Sequence, residues 1–269
     1  MNYYGLVGEK LSHSLSPKIH EYIFEKYSVD GGYELFPIPQ EDISEFGKWM
    51  KLLKIKGVNV TIPYKERVIE FLDEISDEGK KIGAVNTILN KNGTLIGYNT
   101  DYYGFKYMLL EQEIYVKDKI AVVLGTGGAS KAVIQYLKDE KAKDIYLVSR
   151  DIKGKKSLDK DVKLIDYEML KNIEGYVLIN TTPVGMYPKL SECPVNEEVI
   201  KKYQCIVDLI YNPLETEFIK LGIAQGKKVC GGLMMLVYQG VKADEIWEEV
   251  KVLKEEIVEL NEILKKEFV

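Results

Sequence analysis

Histidine is nearly missing from this chain: 269 residues hold only His13 and His20. Cysteine is scarce too, with Cys193, Cys205 and Cys230 scattered and none in C-x-x-C spacing. The two shortages argue against a dedicated zinc site. An odd set of thiols also fits a reducing, cytoplasmic setting better than a disulfide framework. There is no basic excess: 37 Lys and Arg stand against 42 Asp and Glu, for a formal net charge of −5. No global field therefore attracts nucleic acid, and an anionic ligand has to be met by locally placed donors. No apolar run reaches membrane-spanning length. The opening MNYYGLVGEK has no basic segment leading into a long apolar stretch, so no secretory leader is expected. No repeat, low-complexity tract or linker stands out. What remains, 46% hydrophobic and 29% charged, is the composition of a globular chain with one large domain or two ordinary ones.

The chain is organised around Ile120–Ser130, IAVVLGTGGAS. An apolar run meets a glycine turn, and a helical pattern of Ala129, Ala132, Val133, Tyr136 and Leu137 follows. Strand, tight turn and helix are the local order of a nucleotide-binding βαβ unit. Gly125 permits the turn, Gly127 lets backbone approach a pyrophosphate, and the helix N-terminus offers unpaired N–H groups to the phosphate charge. Ser130 replaces the third glycine and is small enough for close packing. A second strand over Asp144–Ser149 ends in Ser149-Arg150 rather than in a carboxylate. An Asp or Glu there would bind a ribose 2′-hydroxyl, whereas Arg suits a 2′-phosphate, so NADP is favoured over NAD.

The first hundred residues alternate strand and helix. Strands are expected at Tyr3–Val7, Tyr33–Ile38 and Gly57–Ile62. Helices are expected from Ser16-Pro17 with Ser16 as N-cap, over Ile43–Leu53 with Phe46, Trp49 and Met50 inward, and from Pro63. Ala84–Leu89 and Thr94–Tyr98 flank the turn 90–93 as a hairpin, and Asp101 falls near the start of a helix over Tyr102–Leu110. Further on, Val162–Ile165, Tyr176–Asn180 and Cys205–Leu209 read as strands with helices between them, one of these over Glu215–Ala224. Short strands alternating with helices mean a parallel, doubly wound sheet. Leu233–Val269 reads as helical, with Val250, Leu253, Ile257, Leu260 and Leu264 on one face.

Six stretches bear chemistry. Ser12–Pro17 brings hydroxyls and His13 to a helix start, which can hold a carboxylate without a cation. Asn59–Lys65 (NVTIPYK) ends a strand in Thr61, and Lys65 is expected in the first turn of the following helix, where the dipole would depress its pKa. Gly83–Thr87 puts Asn86 inside a strand-like run, where Asn is disfavoured, with Asn99-Thr100-Asp101 across the hairpin. Asn180–Met186 and Asp208–Pro213 lie at strand ends, where doubly wound sheets bind ligands. Gly231–Gln239 opens a helix from which Gln239 can reach.

Taken in order, SHSLSP, NVTIPYK, GAVNT, NTD, GTGGAS and GGLMMLVYQ resemble the shikimate dehydrogenase family over nearly the whole chain. The resemblance implies two α/β domains: an N-terminal α/β substrate domain and a doubly wound Rossmann-type NADP domain, with the C-terminal helices packing back on the first. It assigns 1–101 plus 237–269 to substrate binding and catalysis and 102–236 to NADP. It implies reversible NADPH-dependent reduction of 3-dehydroshikimate to shikimate, in aromatic amino-acid biosynthesis, by a monomer or homodimer. Ser14 and Ser16 would bind the carboxylate. Thr61, Asn86, Asp101 and Gln239 would bind ring hydroxyls with Tyr211 nearby, and Lys65 and Asp101 would form the catalytic pair. Gly125, Thr126, Gly127, Gly128, Ala129, Ser149, Arg150, Leu209 and Gly232 would line the cofactor site. The chain departs from the family at Ser149-Arg150-Asp151, where Asp151 could repel a 2′-phosphate and Lys153, Lys155 and Lys156 could offset it. The second family arginine is also absent from Ile152-Lys153-Gly154. The nearest alternative is an NAD-using quinate/shikimate dehydrogenase. A non-catalytic dinucleotide-binding regulator is opposed by the intact Lys65 and Asp101, and a methyltransferase by Arg150 in place of an acidic strand end.

Overall fold

The computed structural model describes residues 1–11, 14–152 and 159–268. The expectations for Ser12, His13, Lys153, Gly154, Lys155 and Lys156 lie outside the described residues. Two compact units emerge, Met1–Gly104 with Val237–Leu264, and Phe105–Leu236 with the residues from Lys265 on.

The first unit contains β1 (Asn2–Gly8), α1 (Ser16–Lys26), β2 (Gly31–Pro37), α2 (Phe46–Leu52), β3 (Ile55–Val60), β4 (Glu74–Ile75), α3 (Asp77–Ile82), β5 (Thr87–Lys91), β6 (Thr94–Tyr98) and the start of α4 (Thr100–Glu111). Its sheet runs β2-β1-β3-β5-β6-β4. β1 is parallel to both neighbours, and the β5–β6 hairpin joins β3 antiparallel. A strand flanked on both sides and covered on both faces is apolar throughout. In β1, Tyr4 and Leu6 enter a cluster with Phe24, Tyr33 and Trp247, while Val7 packs with Phe46, Met50 and Val58 on the other face.

Several local expectations change here. Trp49 is at the surface, 36% exposed, while Phe46 and Met50 are buried. No α-helix opens at Pro63: the Ile62–Pro63 peptide is cis, and the chain turns before a short 3-10 helix over Arg67–Phe71. The hairpin turn is only Asn92-Gly93, both left-handed, because Lys91 already pairs with Thr94.

The second unit continues with β7 (Ile120–Leu124), α5 (Gly128–Asp139), β8 (Asp144–Val148), β9 (Val162–Ile165), α6 (Tyr167–Leu170), β10 (Gly175–Asn180), α7 (Glu197–Ile200), β11 (Tyr203–Asp208), α8 (Glu217–Ala224) and β12 (Lys228–Cys230). All six strands are parallel, in the order β12-β11-β10-β7-β8-β9. The order reverses between β7 and β10, which is the switch point of a doubly wound sheet. The C-terminal helices are α9 (Leu233–Glu248) and α10 (Lys254–Lys265). Between them Glu249 is left-handed and Leu253 is 57% exposed, so the apolar stripe begins at Ile257 rather than Val250. Among the described residues, no helix is long and apolar enough to cross a membrane and no cluster of side chains suits a metal ion.

Candidate active site

In the first unit, the turn after β3 and the start of α4 bring Lys65 and Asp101 together. Lys65 Nζ donates to Asp101 Oδ2 at 2.5 Å, with the side chains 16% and 9% exposed. Lys65 lies in a turn, not in a helix, so the expected dipole effect on it has no source. Its main chain is clamped instead: Val85 N–H donates to Lys65 O at 2.7 Å, and neighbouring Tyr64 is fully buried with its hydroxyl on Ile38 O. Asp101 sits in the first turn of α4, where negative charge complements the helix dipole. Asn99 starts that helix, accepting from Tyr102 N–H at 3.2 Å and donating to Ala84 O at 2.9 Å.

Asn86 joins the two segments. It lies just before β5 rather than inside a strand, and is 2% exposed. Its Oδ1 accepts from Thr100 N–H at 2.6 Å, which fixes the amide so that Nδ2 donates to Asp101 Oδ1 at 2.9 Å. Gln239, on α9, brings Oε1 to 3.5 Å from the same Nδ2. A buried run of polar groups leads away from it. Thr87 Oγ1 lies 3.3 Å from Asn86 Oδ1, Asn59 Nδ2 donates to Thr87 Oγ1 at 3.1 Å, and Tyr33 OH donates to Asn59 Oδ1 at 2.8 Å. Each buried polar group in this run has a partner, as its burial requires. Apart from Asn86, this run was not marked as a site by the sequence reading; Asn59 stood only inside the NVTIPYK stretch.

At the start of α1 the roles of two serines are exchanged relative to expectation. Ser16 is the first helical residue, 6% exposed, and does not cap. Ser14 does the satisfying: its Oγ accepts from Ser16 N–H at 3.1 Å. Thr61 follows β3, its N–H on Val7 O at 2.9 Å.

In the second unit a crevice of about 670 Å³ opens at the carboxyl ends of β7, β8 and β10, at the switch point. Gly125-Thr126-Gly127, Ser149-Arg150-Asp151 and Thr181-Thr182 line it. Gly125 has φ of 99°, and a Cβ there would stand 2.6 Å from Thr182 Cγ2, so only glycine fits. Gly127 is the N-cap of α5 and faces open space, so a ligand can approach the backbone of the helix N-terminus. Ser130 is buried and turns its hydroxyl back to Gly127 O at 2.7 Å. Ser149 is buried with Oγ on Asp151 O, and Arg150 is exposed at the end of β8. These features fit a dinucleotide with a 2′-phosphate. Tyr167, Met186 and Tyr187 also line the crevice; the rule that ligands gather at strand ends pointed to Asn180–Met186, and nothing in the sequence pointed to Tyr167, which opens α6.

Gly128 and Ala129 open α5. Leu209 and Gly232 meet beside the crevice-forming sheet: a Cβ on Gly232 would lie 2.1 Å from Leu209 O. Asp208, at the end of β11, is fully buried and accepts from Thr216 Oγ1, Ile210 N–H and Asn180 Nδ2 at 2.6, 3.0 and 3.0 Å. Burial pushes its pKa up to about 6 against those donors. Asn180 in turn accepts from Thr182 N–H at 3.0 Å, tying this network to the crevice wall. Tyr211 is carried by the second unit, its ring edge-on to Phe268.

The family model described as shikimate dehydrogenase substrate binding domain matches residues 6–88. A protein of Clostridium beijerinckii named shikimate dehydrogenase (NADP(+)) is 54% identical over 270 residues, covering 100% of both chains. The crystal structure of shikimate dehydrogenase 1 from Peptoclostridium difficile superposes with a TM-score of 0.94 at 49% identity, again over 100% of each chain. The Thermus thermophilus shikimate 5-dehydrogenase, solved in complex with NADP(H) and shikimate, gives a TM-score of 0.88 at 32% identity over 98% of this chain and 99% of that one.

Proposed function

Since the chain belongs to the shikimate dehydrogenase family, we propose that it catalyses the reversible NADPH-dependent reduction of 3-dehydroshikimate to shikimate, a step of aromatic amino-acid (chorismate) biosynthesis, with Lys65 and Asp101 as the proton-transfer pair. The observation that carries the mechanism is the 2.5 Å contact between Lys65 Nζ and Asp101 Oδ2 at the partly open end of a buried polar network.

NADPH, when bound, supplies the hydride that reaches the carbonyl carbon. Lys65 then protonates the oxygen on which charge develops, and its own charge stabilises that oxygen beforehand. Asp101 holds the lysine with Oδ2, and Asn86 holds Asp101 through Oδ1. In the oxidative direction the same lysine takes the proton back. Ser14 and Ser16 meet the substrate carboxylate, and Thr61, Asn86, Asp101, Gln239 and Tyr211 meet the ring hydroxyls. Residues 1–101 with 237–269 serve as the substrate domain and 102–236 as the NADP domain. On the cofactor side Gly125–Ala129 and the N-terminus of α5 receive the pyrophosphate, Ser149 and Arg150 the 2′-phosphate, and Leu209 and Gly232 line the remainder. A cytoplasmic location accords with three cysteines that are all free thiols, and the enzyme works as a monomer or homodimer on a small molecule, without nucleic acid or membrane.

One observation favours a second reading: Asp151 lines the crevice next to Arg150, where a carboxylate suits NAD better than NADP. Absorbance at the reduced-nicotinamide band, with shikimate or quinate each paired with NADP⁺ or NAD⁺, decides. Turnover with shikimate and NADP⁺ supports the proposal. Preference for NAD⁺ with acceptance of quinate moves the chain to the broader quinate/shikimate type, and no turnover in any pairing overturns both.

A further inference from the structure

The first unit holds a buried, hydrogen-bonded His–Asp pair that the proposed chemistry does not use. His20 Nδ1 and Asp244 Oδ1 are 2.7 Å apart, both side chains are 0% exposed, and among the described residues neither His20 Nε2 nor Asp244 Oδ2 has a hydrogen-bond partner. Putting two such groups into an apolar cluster is costly, so a compensating role is called for. Their surroundings show what the pair touches. His20 lies one helical turn after Ser16 on α1, so both face the same way. The imidazole stacks on Tyr33 with ring centroids 4.1 Å apart and planes 13° from parallel, and Trp247 lies beside both rings, at 5.2 Å from the imidazole and 6.4 Å from the phenol.

Tyr33 is a junction. Its hydroxyl donates to Asn59 Oδ1, the head of the run through Thr87 and Asn86 to Asp101. One phenol, packed against the buried imidazole, therefore heads the chain that ends on the catalytic carboxylate. Burial, with the charge of Asp244 adding to it, keeps that phenol protonated and so a donor.

We propose that His20 and Asp244 are positioning residues for the substrate site: Asp244 holds the imidazole, the imidazole holds the Tyr33 ring, and the Tyr33 hydroxyl sets Asn59 and, through Thr87, Asn86 beside Asp101. The proposal rests on the assignment of Asn86, Lys65 and Asp101 to the active site. The ring alone could be held by packing, but a hydrogen-bonded imidazole cannot rotate, and its face is then fixed parallel to the phenol.

The test is steady-state kinetics of the full chain with shikimate and NADP⁺. Asp244→Leu removes the acceptor for the imidazole, and Asp244→Asn keeps it. Tyr33→Phe keeps the stack and removes only the hydroxyl. Loss of one hydrogen bond predicts that Asp244→Leu and Tyr33→Phe each raise KM for shikimate about 5- to 10-fold, with KM for NADP⁺ unchanged. Asp244→Asn stays near wild type, and the double variant Asp244→Leu/Tyr33→Phe is no worse than Tyr33→Phe alone. A purely structural pair would lower the active fraction and leave both KM values alone. Wild-type KM for shikimate in Tyr33→Phe overturns the proposal, including in the event that Asp244→Leu does not fold. Independent, multiplying losses in the double variant also overturn it. Lys65→Ala is run beside them: if it retains turnover, the underlying site assignment fails. If it loses turnover while the other variants keep wild-type KM values, only the positioning role fails.

Discussion

Replacing Asn86 by Asp changes one atom group at the centre of the site. The side chain keeps its shape, and its Oδ1 still accepts from Thr100 N–H. The amide nitrogen that donated to Asp101 Oδ1 at 2.9 Å becomes an oxygen. Two unit charges at that separation, in an effective dielectric of about 20, repel by about 6 kcal/mol. That raises the proton affinity of the pair by about four pKa units. Asp101 Oδ2 is paired with Lys65 Nζ, so the proton belongs to the new carboxyl at position 86. The neighbouring carboxylate holds that group protonated well above the ordinary carboxylate range. Protonated, it donates an O–H to Asp101 where Asn86 gave an N–H, and the site is nearly restored. Its folded pKa lies above its unfolded one, so the stability it contributes is present at low pH and is lost as pH rises through the folded value. The expected result for Asn86→Asp is unfolding close to wild type near pH 4, with a deficit that grows as pH rises from there and reaches about 3–5 kcal/mol by pH 9. Turnover should fall over the same interval. Denaturant melts at four or five pH values, beside wild type, give the curve. A deficit that does not vary with pH refutes the reasoning, because it would mean the amide nitrogen does not face Asp101.

Three further outcomes follow from the second unit. Arg150→Ala should raise KM for NADP⁺ by about 10- to 100-fold, the worth of a charge-assisted hydrogen bond, while KM for NAD⁺ changes little; parallel titrations of the two cofactors check it. Gly232→Ala places a methyl 2.1 Å from Leu209 O, a contact with backbone that cannot swing aside. A loss of about 1–3 kcal/mol is expected, together with weaker NADP⁺ binding, both readable by thermal melts with and without cofactor. Asp208, with its pKa near 6 in the fold against 3.8 ordinarily, favours the folded state below about pH 4 and loses up to about 3 kcal/mol of that as pH passes 6. Asp208→Asn removes this slope and sacrifices a buried hydrogen bond, so its deficit should shrink from pH 4.5 to pH 7.

The parts of this molecule that announce themselves in sequence are those with a local signature. β7, the glycine turn and α5 are legible because a strand period, a left-handed Gly125 and a helix period follow one another within about twenty residues. The end of β8 could be placed for the same reason, and with it Arg150. Elements of two to four residues, such as β4, β12, α6 and α7, carry too few side chains for a period to register. Lys65 and Asp101 were named through resemblance to a family, because nothing local links residues 36 positions apart. The environment imagined for Lys65 was wrong because Ser-Pro and Ile-Pro look alike as helix starts, yet Pro17 begins a helix and Pro63 follows a cis peptide. Asn59 and Thr87 fell inside stretches marked for chemistry, but their joining to Tyr33, and the His20–Asp244 pair, could not be read. Each member sits at a position that periodicity assigns to the core, and their partners lie from 26 to 224 residues away.

The central claim is that Lys65, held by Asp101, moves the proton. The measurement closest to it is turnover of shikimate with NADP⁺ by Lys65→Ala, after cofactor binding and thermal unfolding have shown the variant folded. A fall in kcat of about 10²- to 10⁴-fold, with KM for NADP⁺ unchanged, is the predicted result. A kcat within a few-fold of wild type would contradict the account and remove Lys65 from the mechanism.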